Sequence, residues 1–169
     1  MRKGIAVLMG FCLAVGLFGS PALADGDTTS ATFFVPATAG GGTDMLGGTP
    51  WFDTGLMLKP GTMVTIRAEG RWTDCNDYSC FATADGSGVQ QIAGCAYIAP
   101  EISAGSLIAR TGKKAPVFVG IGPTTIMGNG KLKFAINDCF FDDNMGGFNV
   151  TVTYPTDSVI VNPDTQVAG

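Results

Sequence analysis

Side chains that alternate between apolar and polar at period two limit this chain more than any other feature. In Phe148–Tyr154, residues Phe148, Val150, Val152 and Tyr154 share one face, while Asn149, Thr151 and Thr153 share the other. Met63–Glu69 repeats the pattern, with Val64, Ile66 and Ala68 set against Thr65, Arg67 and Glu69. Lys131–Asn137 puts Leu132, Phe134 and Ile136 together, and Leu56 and Leu58 alternate likewise. Such a period turns every second residue to a core, which is the signature of strands buried on one side. Shorter strands are expected at Thr32–Val35, Ser106–Ala109 and Val117–Gly120, and Pro60-Gly61 reads as the turn that separates Leu56–Leu58 from the strand beginning at Met63. No run of a dozen residues carries a 3.6-residue period. The expected fold is therefore all-β: a jelly-roll-like β-sandwich forming a single domain.

The ends of the chain are different material. Arg2 and Lys3 precede an uncharged, mostly apolar run from Gly4 to Phe18, and Ala22-Leu23-Ala24 supplies an A-x-A cleavage site. That pattern predicts a secretory signal peptide over residues 1–24, cleaved after Ala24, and a secreted or periplasmic protein. The apolar run falls short of the ~20 residues that span a bilayer, so no membrane span is expected. A Gly- and Thr-rich segment follows over 25–50, the sandwich is expected over 51–154, and a polar, loosely ordered tail over 155–169.

Charge and cysteine content narrow the function. The full chain of 169 residues carries 10 Lys+Arg, 14 Asp+Glu and no His. Without grouped cations a nucleic-acid partner is not expected. Without His there is no Ser-His-Asp or Cys-His catalysis and no His-ligated zinc. Cleavage would remove Arg2, Lys3 and Cys12, leaving 8 basic and 14 acidic side chains, a charge of −6, and four cysteines: Cys75, Cys80, Cys95 and Cys139. Four cysteines in an exported chain read as two disulfides with three possible connectivities. The four-residue spacer favours Cys75–Cys80, with Cys95–Cys139 as a long-range staple. Residues 73–91, which hold the close pair and no sustained period, are expected to be a long functional or disulfide-tied loop.

One segment concentrates polar oxygen. Asn137-Asp138-Cys139-Phe140-Phe141-Asp142-Asp143-Asn144 places three carboxylates and two amides between two strands. Oxygen donors at this density suit a hard cation such as Ca2+, although the order does not fit an EF-hand loop, and an acidic solvated hairpin has the same spacing. Asp138 and Asp143 could also form a glycosidase acid/base pair. Crowded together with Asp142, they are better suited to sharing a cation that relieves their repulsion.

Three runs resemble the PA-IL-like (LecA-type) galactose-binding lectin domains: Trp51-Phe52-Asp53-Thr54-Gly55-Leu56 followed by Leu58-Lys59-Pro60-Gly61 and Val64-Thr65-Ile66; then Pro116–Gly120 followed by Leu132–Asp138; and finally Asp143-Asn144-Met145-Gly146-Gly147-Phe148-Asn149-Val150. The resemblance covers roughly residues 51 to 153. It implies a small jelly-roll sandwich with one Ca2+ at the end of the sheets. Carried over by position, the ligands would be the side chains of Asp138, Asp143 and Asn144 and two backbone carbonyls. One carbonyl, before Pro-Gly, matches Leu58; the other, after Asp138, matches Phe140 or Phe141, and Phe141 is taken here. In that family two sugar hydroxyls complete the calcium shell while the carboxylates accept their hydrogen bonds, so Asp138 and Asp143 would also contact sugar. The family's sugar-contacting His and Gln fall on the stretch matching residues 67–80. This chain has no His and offers Asp74, Asn76, Asp77 and Tyr78, of which Asp77 and Tyr78 are carried forward as sugar contacts. Galactose specificity therefore does not transfer. Trp51 and Trp72 are expected to be packing residues.

The functional expectation is a secreted, calcium-dependent carbohydrate-binding module without catalysis. The alternative is a calcium-stabilised structural or adhesion sandwich that meets a protein partner or a second copy of itself, with Phe140-Phe141 at the contact.

Overall fold

The computed structural model describes residues 26–40, 50–73, 80–88, 91 and 93–161. The signal-peptide segment, residues 41–49 and 74–79, and the end of the chain from 162 lie outside them. Among the described residues eight strands are present: β1 (Thr28–Pro36), β2 (Phe52–Thr73), β3 (Phe81–Ala82), β4 (Leu107–Thr111), β5 (Val117–Phe118), β6 (Thr124–Ile136), β7 (Met145–Pro155) and β8 (Val159–Val161). The one helical element among the described residues is a 3-10 turn, Thr156–Ser158. The strand order is β1-β7-β2-β6-β4-β5, with β3 and β8 also attached to β2, and every pairing is antiparallel. Val35 of β1 and Leu107 of β4, far apart in that order, belong to one buried core together with Phe134 and Phe148. The sheet therefore folds over on itself as a β-sandwich.

β2 makes the fold-over possible. Phe52–Ile66 pairs with β6, Leu56–Leu58 pairs with β8, and Thr65–Thr73 pairs with β7. Its even-numbered residues Leu56, Leu58, Val64, Ile66, Ala68 and Trp72 are buried throughout. This corrects the expected turn at Pro60-Gly61. Both halves belong to one strand, and the register steps from Leu58↔Gly130 to Thr62↔Gly128. Three residues on β2, 59–61, thus oppose the single Asn129 on β6, a bulge that places Gly61 at φ +82°. A second step lies between Asp53↔Lys133 and Met57↔Lys131. There Thr54 Oγ1 donates to the Leu132 carbonyl (2.8 Å) and accepts from Leu56 N–H (3.1 Å), replacing ladder bonds that the bulge removes. Each bulge adds an even number of residues, so the apolar face keeps its side. Gly128 is required by packing: a Cβ there would lie 2.3 Å from Leu58 Cδ1.

The alternation at Phe148–Tyr154 and Leu132–Ile136 buries the expected residues. Three stretches differ. The strand expected at Thr32–Val35 is nine residues long and pairs with β7 from Thr28↔Pro155 to Pro36↔Gly147, so the sandwich includes part of the segment placed before residue 51. The hydroxyl residues that open it bond to Thr156 just beyond β7 (from Thr29, 2.9 Å) and across the strand pair to Thr153 (from Ser30, 2.8 Å). The expected tail is ordered as far as Val161, because β8 pairs with β2. Finally, β4 and the C-terminal end of β6, from Phe134 to Ile136, are buried on both faces. Ile108 and Ala135, which point away from the main core, form a second cluster with Ala99, flanked by Trp51, Ile98 and Ile102.

Candidate functional site

The segment between β6 and β7 is held from several directions. Asn137 is fully buried. Its Nδ2 donates to the carbonyls of Ala99 (3.0 Å), Ile102 (2.7 Å) and Ser103 (3.2 Å), and its Oδ1 accepts from Ala99 N–H (2.9 Å). This amide is therefore a clamp on the 99–103 loop. Its two N–H groups are shared among three carbonyls, so only one lone pair of the amide is left unused. Cys139 is disulfide-bonded to Cys95, as expected. Cys80 is also disulfide-bonded; its expected partner, Cys75, lies outside the described residues.

Asp138 organises the turn that follows. Its Oδ1 accepts from Cys139 N–H (2.7 Å) and more weakly from Phe140 N–H (3.5 Å), as Asp does at turn starts. Its Oδ2 accepts from Asn144 Nδ2 (2.9 Å), which also donates to the Ala37 carbonyl just beyond β1 (3.0 Å). Ala37 N–H in turn donates to the Gly146 carbonyl (3.0 Å). The two carbonyl positions carried over from the resemblance separate. The Phe141 carbonyl stays in the loop and accepts from Asn144 N–H (3.3 Å). Leu58 does not come near it: its backbone pairs with Gly130, six residues short of the end of β6, and with Val159. Leu58 precedes a bulge inside a long strand rather than a turn at a sheet end. Asp77 and Tyr78 lie outside the described residues.

The two phenylalanines point opposite ways: Phe141 is fully buried and Phe140 is 40% exposed. Asn144, only 7% exposed, has a buried Oδ1 with no hydrogen-bond partner. A buried acceptor left unpaired costs about 1–3 kcal/mol, so native chains rarely keep one without a reason. Among the described residues no three His, Cys, Asp or Glu side chains gather as a metal-ligating group. A cation in this loop would have to use two carboxylates, Asp138 and Asp143, with amide and carbonyl oxygens. That donor set is one Ca2+ accepts, and the orphaned Asn144 Oδ1 fits it. Ala37, whose carbonyl orients Asn144, carries no signal in the sequence.

A second polar group lies on the outer face of the sheet. In the strand register Arg110 of β4 faces Lys133 of β6, and Lys133 faces Asp53 of β2. Asp53 Oδ2 meets Lys133 Nζ at 3.1 Å and Lys131 Nζ at 3.4 Å, and Asp53 Oδ1 accepts from Gly55 N–H (3.0 Å). Partial burial would raise the Asp53 pKa, but the Gly55 N–H and the two lysines outweigh it and hold the carboxyl below its ordinary value. A depressed folded-state pKa contributes stability above the unfolded value and loses it as pH falls through the folded one. Asp53→Asn should therefore lower Tm slightly at neutral pH, by at most about 1 kcal/mol for so exposed a group. The gap between variant and wild type should close well below pH 3.8. Melting curves at pH 7 and in strong acid check this.

Arg110 completes the group: its guanidinium carbon lies 4.1 Å from the centroid of the Trp51 ring. Trp51 is half-buried beside the second cluster, whereas Trp72, 1% exposed, belongs to the main core, so packing accounts for Trp72 as expected.

No family model matches this chain, and no curated protein matches it. Among solved structures it is similar to one titled "EclA N-terminal domain; PllA-like lectin", with a TM-score of 0.47 and 23% sequence identity, covering 74% of this chain and 94% of that one.

Proposed function

We propose that this protein is an exported, non-catalytic, calcium-dependent carbohydrate-binding module whose cation is held by the loop from Asp138 to Asn144. The observation that carries this reading is the unpartnered, buried Oδ1 of Asn144, held beside the Asp138 carboxylate by the 2.9 Å amide contact. A hard cation would satisfy that oxygen and balance the charge of Asp138 and Asp143. A cation left under-coordinated by the protein can be chelated by two neighbouring sugar hydroxyls, which donate charge-assisted hydrogen bonds to the same carboxylates. The signal-peptide pattern and the Cys95–Cys139 disulfide support export.

The exposed Phe140 supports a second reading, in which the cation only stiffens the loop and the aromatic ring meets a protein partner. One experiment tests the shared premise. Calcium at about a hundredfold its Kd should stabilise the protein by about 2.7 kcal/mol over chelator, and Asp143→Asn should shrink that shift. No shift at millimolar calcium would remove both readings. A glycan array then separates them: binding that chelator abolishes supports the first, and a blank array with calcium bound supports the second.

A further inference from the structure

The group formed by Trp51, Asp53, Arg110, Lys131 and Lys133 contains three cations and one carboxylate. Asp53 meets both lysines, so its charge is already engaged. The Arg110 side chain makes no hydrogen bond or ion pair among the described residues, and its buried Nε is without a partner. Its neighbour directly across the strand pair is Lys133, another cation. Like charges directly opposite one another destabilise a sheet. This chain nevertheless places them together within an acidic protein of net charge −4. Stacking on Trp51 fixes the plane of the guanidinium, and the planar fork of Arg is the side chain best matched to an oxyanion. All five residues lie on or immediately beside β2, β4 and β6 at the centre of the sheet, so the group is preorganised rather than carried on a loop.

We propose that Arg110, backed by Trp51 and flanked by Lys133, is a binding site for an oxyanion, the carboxylate or sulfate group of an acidic ligand. The anion supplies the acceptors that Arg110 lacks and separates its charge from that of Lys133. Asp53 acts against it by occupying the lysines and repelling the ligand. The site does not depend on calcium.

Nitrogen-15-labelled full-length protein in chelator tests this, with sulfate and glucuronate each titrated against chloride at constant ionic strength. The Arg110 Nε–H and Trp51 indole N–H resonances report binding. Saturable shifts of both resonances with either anion are expected, and which anion binds distinguishes a sulfate source from a carboxylate one. Arg110→Gln, followed at the Trp51 indole, should weaken binding about tenfold or more, because a charge-assisted fork is lost. Asp53→Asn should tighten it several-fold. Well-dispersed spectra of both variants confirm that they fold. Shifts that do not saturate with either anion, or an affinity unchanged by Arg110→Gln, would overturn the proposal.

Discussion

Phe141→Ala is expected to destabilise the protein by about 3–5 kcal/mol, the usual cost of emptying a buried phenylalanine site. For a domain of this size that lowers Tm by on the order of 10 °C. Phe141 has no exposed surface, and its carbonyl accepts the N–H of Asn144. The ring thus anchors the middle of the loop, and its loss should loosen Asp143 and Asn144 together. Any calcium-dependent thermal shift should fall as well. Phe140→Ala is the matched control: its ring is 40% exposed, so it should cost well under 1 kcal/mol. Urea unfolding of both variants, with calcium and with chelator, checks the pair; equal losses would contradict the in-and-out arrangement of the two rings.

Asn137→Ala is expected to cost roughly 2–4 kcal/mol, since one N–H and several carbonyls of the 99–103 loop lose their partner at a buried site. Asn137→Asp should be worse than alanine. It keeps an acceptor for Ala99 N–H but turns a carboxylate toward the carbonyls of Ala99, Ile102 and Ser103. The second cluster should open with the loop, because Ala99 covers Ile108 and Ala135. Hydrogen exchange at the amides of Ala99 and Ile108 would accelerate more than at those of Val150 and Val152. Asn137→Asp matching or exceeding the stability of alanine would refute the clamp.

These two residues show where the sequence is readable and where it is not. Period-two alternation identifies Phe134 and Phe148 as core because one face of each strand decides the pattern. It is silent on Ala135 and Ile108, which are buried by a loop from elsewhere in the chain. Asn137 lies in an oxygen-rich run where composition suggests cation ligation, yet its amide is committed to backbone carbonyls 34 to 38 residues away. Asn144, in the same run, keeps the free acceptor. Nothing local distinguishes the two amides; the difference comes from what packs against each. Leu58 fails for a related reason. Pro60-Gly61 has the chemistry of a turn, and pairing with β6 and β8 converts it into a bulge. The Cys95–Cys139 disulfide is more legible, because setting Cys12 aside with the expected leader leaves four cysteines and a short spacer sets the other two apart. The length of β1 is not legible at its start, where hydroxyls rather than apolar side chains make the cross-strand contacts.

β2 belongs to both layers, and this governs how the molecule comes apart. Neither layer can detach while the other keeps its hydrogen bonds, since releasing Thr65 frees it from both Thr125 and Thr153. Unfolding should therefore be all-or-none, with central amides of β6 and β7 exchanging through a single opening of the same free energy. Assembly carries the opposite burden. β1 must find β7 across more than a hundred residues, as in the Ser30–Thr153 contact with its separation of 123. Such topologies fold in milliseconds to seconds rather than microseconds.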